Sequence, residues 1–136
     1  MASLRLPYKK VNGVEIPTDV HLPSTKSAAE NALAPVLIMV HGGGFVLGYS
    51  KMNNADQIQD CLDRGWIVLS IEYRLCPGVN LLKGPMCDAR DVLLWVQTGG
   101  LAAALKGASS PVQPDPDRVM AMGASAGGHL SLCMVC

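Results

Sequence analysis

Two short runs, "APVLIMV" (34–40) and "WIVLSIEY" (66–73), are apolar at nearly every position, with Glu72 the only charge in either. A strand turns successive side chains to opposite faces, so a run that is apolar at both parities must be covered on both faces. Strands of that kind belong to a parallel sheet held between layers of helix. The chain between them agrees: Ala55, Ile58 and Leu62 fall at helical spacing within 53–64, and Gly65 suits the position just past a helix end. Asp88 to Leu105 reads as a second helix, with Val92, Trp95 and Val96 on its apolar stripe, Asp91 near its positive end, and Gly99-Gly100 weakening its second half. "RVMAMG" (118–123) is a third apolar strand, and the segments 74–85 and 107–117 read as loops.

The expected fold class is therefore α/β, a mainly parallel sheet with flanking helices. An antiparallel hairpin at residues 8–22 precedes it. Asn12-Gly13 supplies the positive φ angles of a type I′ turn, and Val14, Ile16, Thr18, Val20 and Leu22 alternate on one face. Pro17 inside the second run argues for an edge position, and the stretch from Pro23 to Ala34 is a surface connection.

Composition narrows the function classes. The 136 residues are 49% hydrophobic and 16% charged, with 11 basic and 11 acidic side chains. That balance gives no electrostatic footprint for nucleic acid or for an anionic membrane. Lys9-Lys10 is the one adjacent basic pair and reads as a solvated strand face. No run approaches the length of a membrane span, and "MASLRLPYKKVNG" lacks the pattern of a secretory leader. The five cysteines are scattered without a second ligand pair, so the expectation is reduced thiols, no metal, no cofactor and a cytoplasmic location.

Chemistry concentrates at the two glycine-rich strand exits. Gly123-Ala124-Ser125-Ala126-Gly127 has the G-x-S-x-G spacing of a nucleophile elbow, with an apolar strand before it and a possible helix after it. Such a turn strains the backbone at the serine and needs small neighbours. The second exit, His41-Gly42-Gly43-Gly44-Phe45, lets backbone N–H groups turn toward a substrate. Acyl transfer builds negative charge on the carbonyl oxygen, and one such donor is typically worth about 3 kcal/mol in the transition state. Neither a P-loop Lys-Ser/Thr nor a dinucleotide G-x-G-x-x-G spacing is met here. In parallel α/β sheets the ligand lies beyond the carboxyl ends of the strands, which is where both glycine stretches fall.

Together "HGGGF", "SIEYRLCP" (70–77) and "DPDRVMAMGASAGGHLSL" resemble the hormone-sensitive-lipase-like branch of the α/β-hydrolase superfamily, over most of the chain from about Tyr8. The resemblance implies a single, incomplete α/β-hydrolase domain over 1–136, with an oxyanion loop at 41–45 and an elbow at 123–127. It implies Ser125 as catalytic nucleophile and Gly43, Gly44 and Ala126 as oxyanion N–H donors, with His41, Gly42, Gly123 and Gly127 as structural members of the motifs. Ala124 stands where this branch commonly has Asp, and Cys76-Pro77-Gly78 where it often has Ala-Pro-Glu.

The superfamily's triad runs Ser, then acid, then His, and eleven residues follow Ser125. His21, in the hairpin, and His129, one helical turn past the serine, are poorly placed as bases. Asp88, Asp91, Asp115 and Asp117 read as capping or solvated groups. The expectation is a serine carboxylic-ester hydrolase acting on a small-molecule ester or related acyl substrate, in a setting such as small-molecule biosynthesis. The chain itself is expected to be inactive alone, truncated just past the elbow helix. Two alternatives stay open: a non-catalytic protein that self-associates through an exposed sheet edge, and a peptidase or amidase of the same fold.

Overall fold

The computed structural model describes residues 2–24 and 32–135. Among the described residues five strands form one sheet: β1 (Ala2–Val11), β2 (Val14–Leu22), β3 (Ala34–Val40), β4 (Ile67–Ile71) and β5 (Pro114–Gly123), in the spatial order β1-β2-β4-β3-β5. The β1–β2 and β2–β4 ladders are antiparallel, and β4–β3 and β3–β5 are parallel. The sheet is thus mixed, parallel in the half that ends at the two glycine stretches and antiparallel in the half built by the hairpin. The α-helices of the described residues that cover it are α1 (Ala55–Asp63), α2 (Cys87–Gln97), α3 (Gly100–Gly107) and α4 (Ala126–Cys133).

Strand parity explains the two apolar runs. Val36, Ile38 and Val40 of β3 and Ile67, Leu69 and Ile71 of β4 face the large core with Ala89 and Val92 of α2, Leu101 of α3 and Leu130 of α4. Leu37, Met39 and Val68 point the other way, against Ile58 and Leu62 of α1. Burying each such side chain contributes roughly 1.5–3 kcal/mol, so a charge at either parity would be costly. Asn54 caps α1, its side-chain oxygen accepting from the N–H groups of Asp56 (2.9 Å) and Gln57 (3.1 Å). Gly65 follows the end of that helix at φ 82°, and Asn12 and Gly13 take the positive φ angles of the expected turn.

Several sequence expectations need correction. The hairpin starts at Ala2 rather than Tyr8, and Val14 is exposed. β2 is an interior strand despite Pro17. That proline lies outside the Thr18–His21 stretch paired with β4, opposite Pro7 and beside a bulge in β1, and its carbonyl still accepts the Glu72 N–H at 3.1 Å. The segment 74–85 is only partly loop, because a π-helical turn at Leu82–Met86 runs straight into α2. The single helix expected over 88–105 is two, broken at Gly99, whose φ is 92°. β5 begins at Pro114, inside the expected loop, and α4 spans eight residues. Most of the surface connection expected at 23–34, and Cys136, fall outside the described residues.

The lysine pair divides. Lys10 is exposed, but Lys9 is inserted between Asp88 and Asp91, with Nζ 2.8 Å from Asp88 Oδ1. Asp88 is not a solvated cap; its side chain is fully buried and also takes the Arg74 guanidinium and backbone N–H. Burial alone would push the Asp88 carboxyl up, but hydrogen bonds from Arg74 and Lys9 outweigh it and hold the group below the usual carboxylate range.

The two sheet edges differ. β1 presents Arg5, Pro7 and Lys10 and carries the bulge, features that discourage a further strand. β5 presents Met120 (40% exposed), Ala121 and Met122 (37% exposed) with no charge between Val119 and Gly123.

Candidate active site

β3 and β5 are parallel neighbours, so the segments leaving their carboxyl ends emerge side by side. Val40 pairs with Gly123, and beyond it the chain enters His41-Gly42-Gly43-Gly44. His41 is buried and stacked on Tyr73, with ring centroids 4.3 Å apart. Its Nδ1 lies 2.8 Å from the Gly42 carbonyl oxygen, which can only accept, so Nδ1 is the donor. Tyr73 Oη donates to the His41 carbonyl at 2.8 Å. Burial, with the Glu72 charge beside it, pushes the Tyr73 phenol up to about 12, so it keeps the proton it donates.

The loop then turns sharply. Gly43 (φ 127°) accepts from the N–H groups of Val46 and Leu47, both at 3.2 Å, and a side chain there would collide with the Leu47 carbonyl. Phe45 (φ 67°) accepts from the Cys76 N–H at 2.8 Å, and its ring meets His129 of α4 edge-on at 5.8 Å. The segment "SIEYRLCP" thus holds the glycine loop at two points: Tyr73 at its start and Cys76 at its end.

Ser125 follows β5 with φ 56° and ψ −121°, strained backbone for a residue with a side chain, and is solvent-exposed. The turn is closed by Gly127 N–H to Ala124 O (3.0 Å) and His129 N–H to Ser125 O (3.2 Å). The two motifs touch. A Cβ added to Gly42 would stand 2.8 Å from the Ala124 carbonyl oxygen and 3.4 Å from Ser125 Cβ. Among the described residues, the N–H groups of Gly43, Gly44 and Ala126 carry no turn or loop hydrogen bond, and Ala126 opens α4.

A cavity of about 360 Å3 lies against this junction, bounded by Gly42, Gly43 and Ser125 on one side and by Met52, Asn53, Asn54 and Gln57 on the other. Its remaining walls include Met39 and Met122. Sequence reasoning missed this far wall. The wall is fixed from behind. Asn53 Nδ2 donates to Ser70 Oγ (2.6 Å), Ser70 Oγ to the Ser50 carbonyl (2.6 Å) and Ser50 Oγ to Asp19 Oδ2 (2.5 Å).

No histidine or carboxylate side chain hydrogen-bonds to Ser125 among the described residues. His21 lies on the hairpin strand for which Pro17 argued an edge position, and that strand is not at an edge. It sits on interior β2, lining a separate cavity of about 150 Å3 with Asp19 and Ser50, and burial pushes its imidazole down. His129 packs on Phe45. No group of three or more His, Cys, Asp or Glu is placed to hold a metal among the described residues, and no described helix is long and apolar enough to cross a membrane.

A mixed sheet whose parallel strands deliver a glycine loop and a serine turn to one cleft is the α/β-hydrolase fold. Residues 18–136 match the BD-FAE family model, and the chain belongs to that family. The structure is similar to Thermogutta terrifontis esterase 2. For the form phosphorylated by paraoxon the TM-score is 0.76 at 26% identity, covering 96% of this chain and 46% of that one. The apo form gives 0.76 at 27%, covering 96% and 45%. The sequence is similar to non-reducing polyketide synthases of Aspergillus calidoustus and Stereocaulon alpinum, each 39% identical over 127 residues. Those matches cover 93% of this chain and 5% of each synthase. The chain therefore spans less than half of the esterases and about a twentieth of the synthases that it matches.

Proposed function

We propose that this chain carries the nucleophilic half of a serine carboxylic-ester hydrolase, with Ser125 attacking the acyl carbonyl and the N–H groups of Gly43, Gly44 and Ala126 receiving the oxyanion. The contact between Gly42 and the Ser125 turn carries this reading, because it sets free backbone donors beside a strained, exposed hydroxyl. His41, Gly123 and Gly127 hold that geometry. A serine hydroxyl is a weak nucleophile without a base, so full turnover calls for an imidazole that the described residues do not bring to Ser125. The matched synthases support an acyl substrate from small-molecule biosynthesis rather than a peptide.

Paraoxon tests the reading without requiring turnover. Attack by Ser125 Oγ on phosphorus releases p-nitrophenolate and leaves a diethylphosphoryl group on the serine. Intact-mass and peptide mapping are expected to find one such adduct, on Ser125, and none at that position in Ser125→Ala. Equal labelling of the two proteins, or an adduct confined to another residue, overturns the proposal.

A second reading rests on a separate observation, the uncharged outer edge of β5 with exposed Met120 and Met122. It presents unpaired backbone groups to a second copy, and the chain's zero net charge offers no repulsion against such pairing. Sedimentation at rising concentration is expected to show association that Ala121→Lys suppresses. A wild-type chain that stays monomeric throughout contradicts it.

A further inference from the structure

Resting on Ser125 as the acyl acceptor, we propose that the cavity beside it is an acyl pocket for an uncharged group of medium size bearing a hydrogen-bonding oxygen, read by Gln57 and Asn54. Size comes first. At about 360 Å3 the cleft falls at the small end of ligand pockets, which run from about 300 to 1,000 Å3.

Charge comes next. The lining contains methionines, glycines and carboxamides but no ionisable side chain. A carboxylate or ammonium entering it would gain no counter-charge from the lining. The methionine side chains are unbranched and polarisable, so they adapt to the shape of an apolar stem without selecting a single one.

The polar groups are not equivalent. Asn53 is already committed, donating through Nδ2 to Ser70 Oγ and to the Met39 carbonyl (3.3 Å). The Asn54 side-chain oxygen is spent on capping α1, which leaves its Nδ2 group. The Gln57 carboxamide makes no side-chain hydrogen bond to any described residue and can both donate and accept. Asn54 caps α1 and Gln57 lies in its first turn, both solvent-exposed, while the Ser50–Asp19 and Ser70 bonds hold the neighbouring Asn53. An oxygen on the acyl group therefore meets uncommitted donors and acceptors at the rim of the cleft, where it gains hydrogen bonds that an alkyl chain does not.

Three p-nitrophenyl esters with the same leaving group separate these elements: octanoate, omega-hydroxyoctanoate and the monoester of suberate. In each, Ser125 Oγ bonds to the acyl carbon, p-nitrophenolate departs and the serine proton passes to buffer base. Acylation followed by intact mass is expected to be about tenfold faster for the hydroxy acid than for octanoate. It is expected to be slower for the suberate monoester than for octanoate, because the lining offers that carboxylate no counter-charge. Gln57→Leu should erase the hydroxyl advantage, read as a ratio within the variant so that any general loss cancels; Gln57→Met serves the same end should the leucine variant fail to fold. Equal rates for the three esters overturn the acyl pocket, as does a hydroxyl preference that survives both substitutions. If those esters fail while paraoxon still labels Ser125, the pocket assignment falls and the nucleophile stands. If paraoxon does not label Ser125, the functional reading falls and this one with it.

Discussion

Gly127→Ala is expected to destabilise the chain by about 3 kcal/mol or more, toward and beyond the top of the usual range for overpacking. Helix propensity alone forecasts the opposite sign, since alanine is favoured over glycine within a helix by about 1 kcal/mol. The contact decides between them. A Cβ on Gly127 would lie 2.6 Å from the His41 carbonyl oxygen and closer still to that of Val40. Those are backbone atoms at the end of β3, a strand fixed by ladders on both sides, so they cannot step aside. The helix cannot easily retreat either, because Leu130 is fully buried beneath it. For a domain of this size such a loss lowers the melting temperature by roughly 10 °C, to be read by circular dichroism. Gly107→Ala, where an added Cβ meets nothing within 4 Å, is the control and should not destabilise. A Gly127→Ala protein melting within about 2 °C of the parent would refute the argument.

That collision also shows why part of the architecture was legible in the sequence. A glycine next to an apolar strand end implies close passage of a helix or a ligand, and the parity of "VLIMV" and "IVLSI" implies cover on both faces. The adjacency of the glycine loop and the serine turn follows from one rule, that parallel strands gather their carboxyl ends together. What sequence reading missed lies in contacts that spacing does not encode. Pro17 argues for an edge, yet the β2–β4 ladder lies just beyond it. The wall of the cavity comes from Met52, Asn53, Asn54 and Gln57, whose local pattern speaks only of a helix start. Lys9, Arg74 and Asp88 are ordinary charges along the chain, and only the packing of α2 against β1 brings them into one buried cluster.

Asp88→Ala is expected to cost about 3 kcal/mol at neutral pH, within the range for removing one partner of a buried ion pair. The lower end of that range applies because Lys9 keeps Asp91 and the Arg74 side chain retains some contact with water (26% exposed). Asp88→Asn should cost less, since an amide of the same shape still accepts from the Arg74 N–H. The loss depends on pH in a defined direction. The folded Asp88 carboxyl is held below its ordinary value, near 3.9 in an unfolded chain, so the unfolded state takes up the proton first as pH falls. Its contribution is complete above that unfolded value and fades as pH drops through the folded one. Urea unfolding of parent and Asp88→Asn should therefore differ most near neutrality and converge in acid; a gap that widens in acid would reverse the assignment. The consequence reaches the active site. Arg74 lies two residues before Cys76, whose N–H holds the Phe45 carbonyl at 2.8 Å. Once Asp88 is removed, the segment that carries Cys76 loses the anchor at Arg74, and paraoxon labelling of Ser125 should slow even in protein that remains folded.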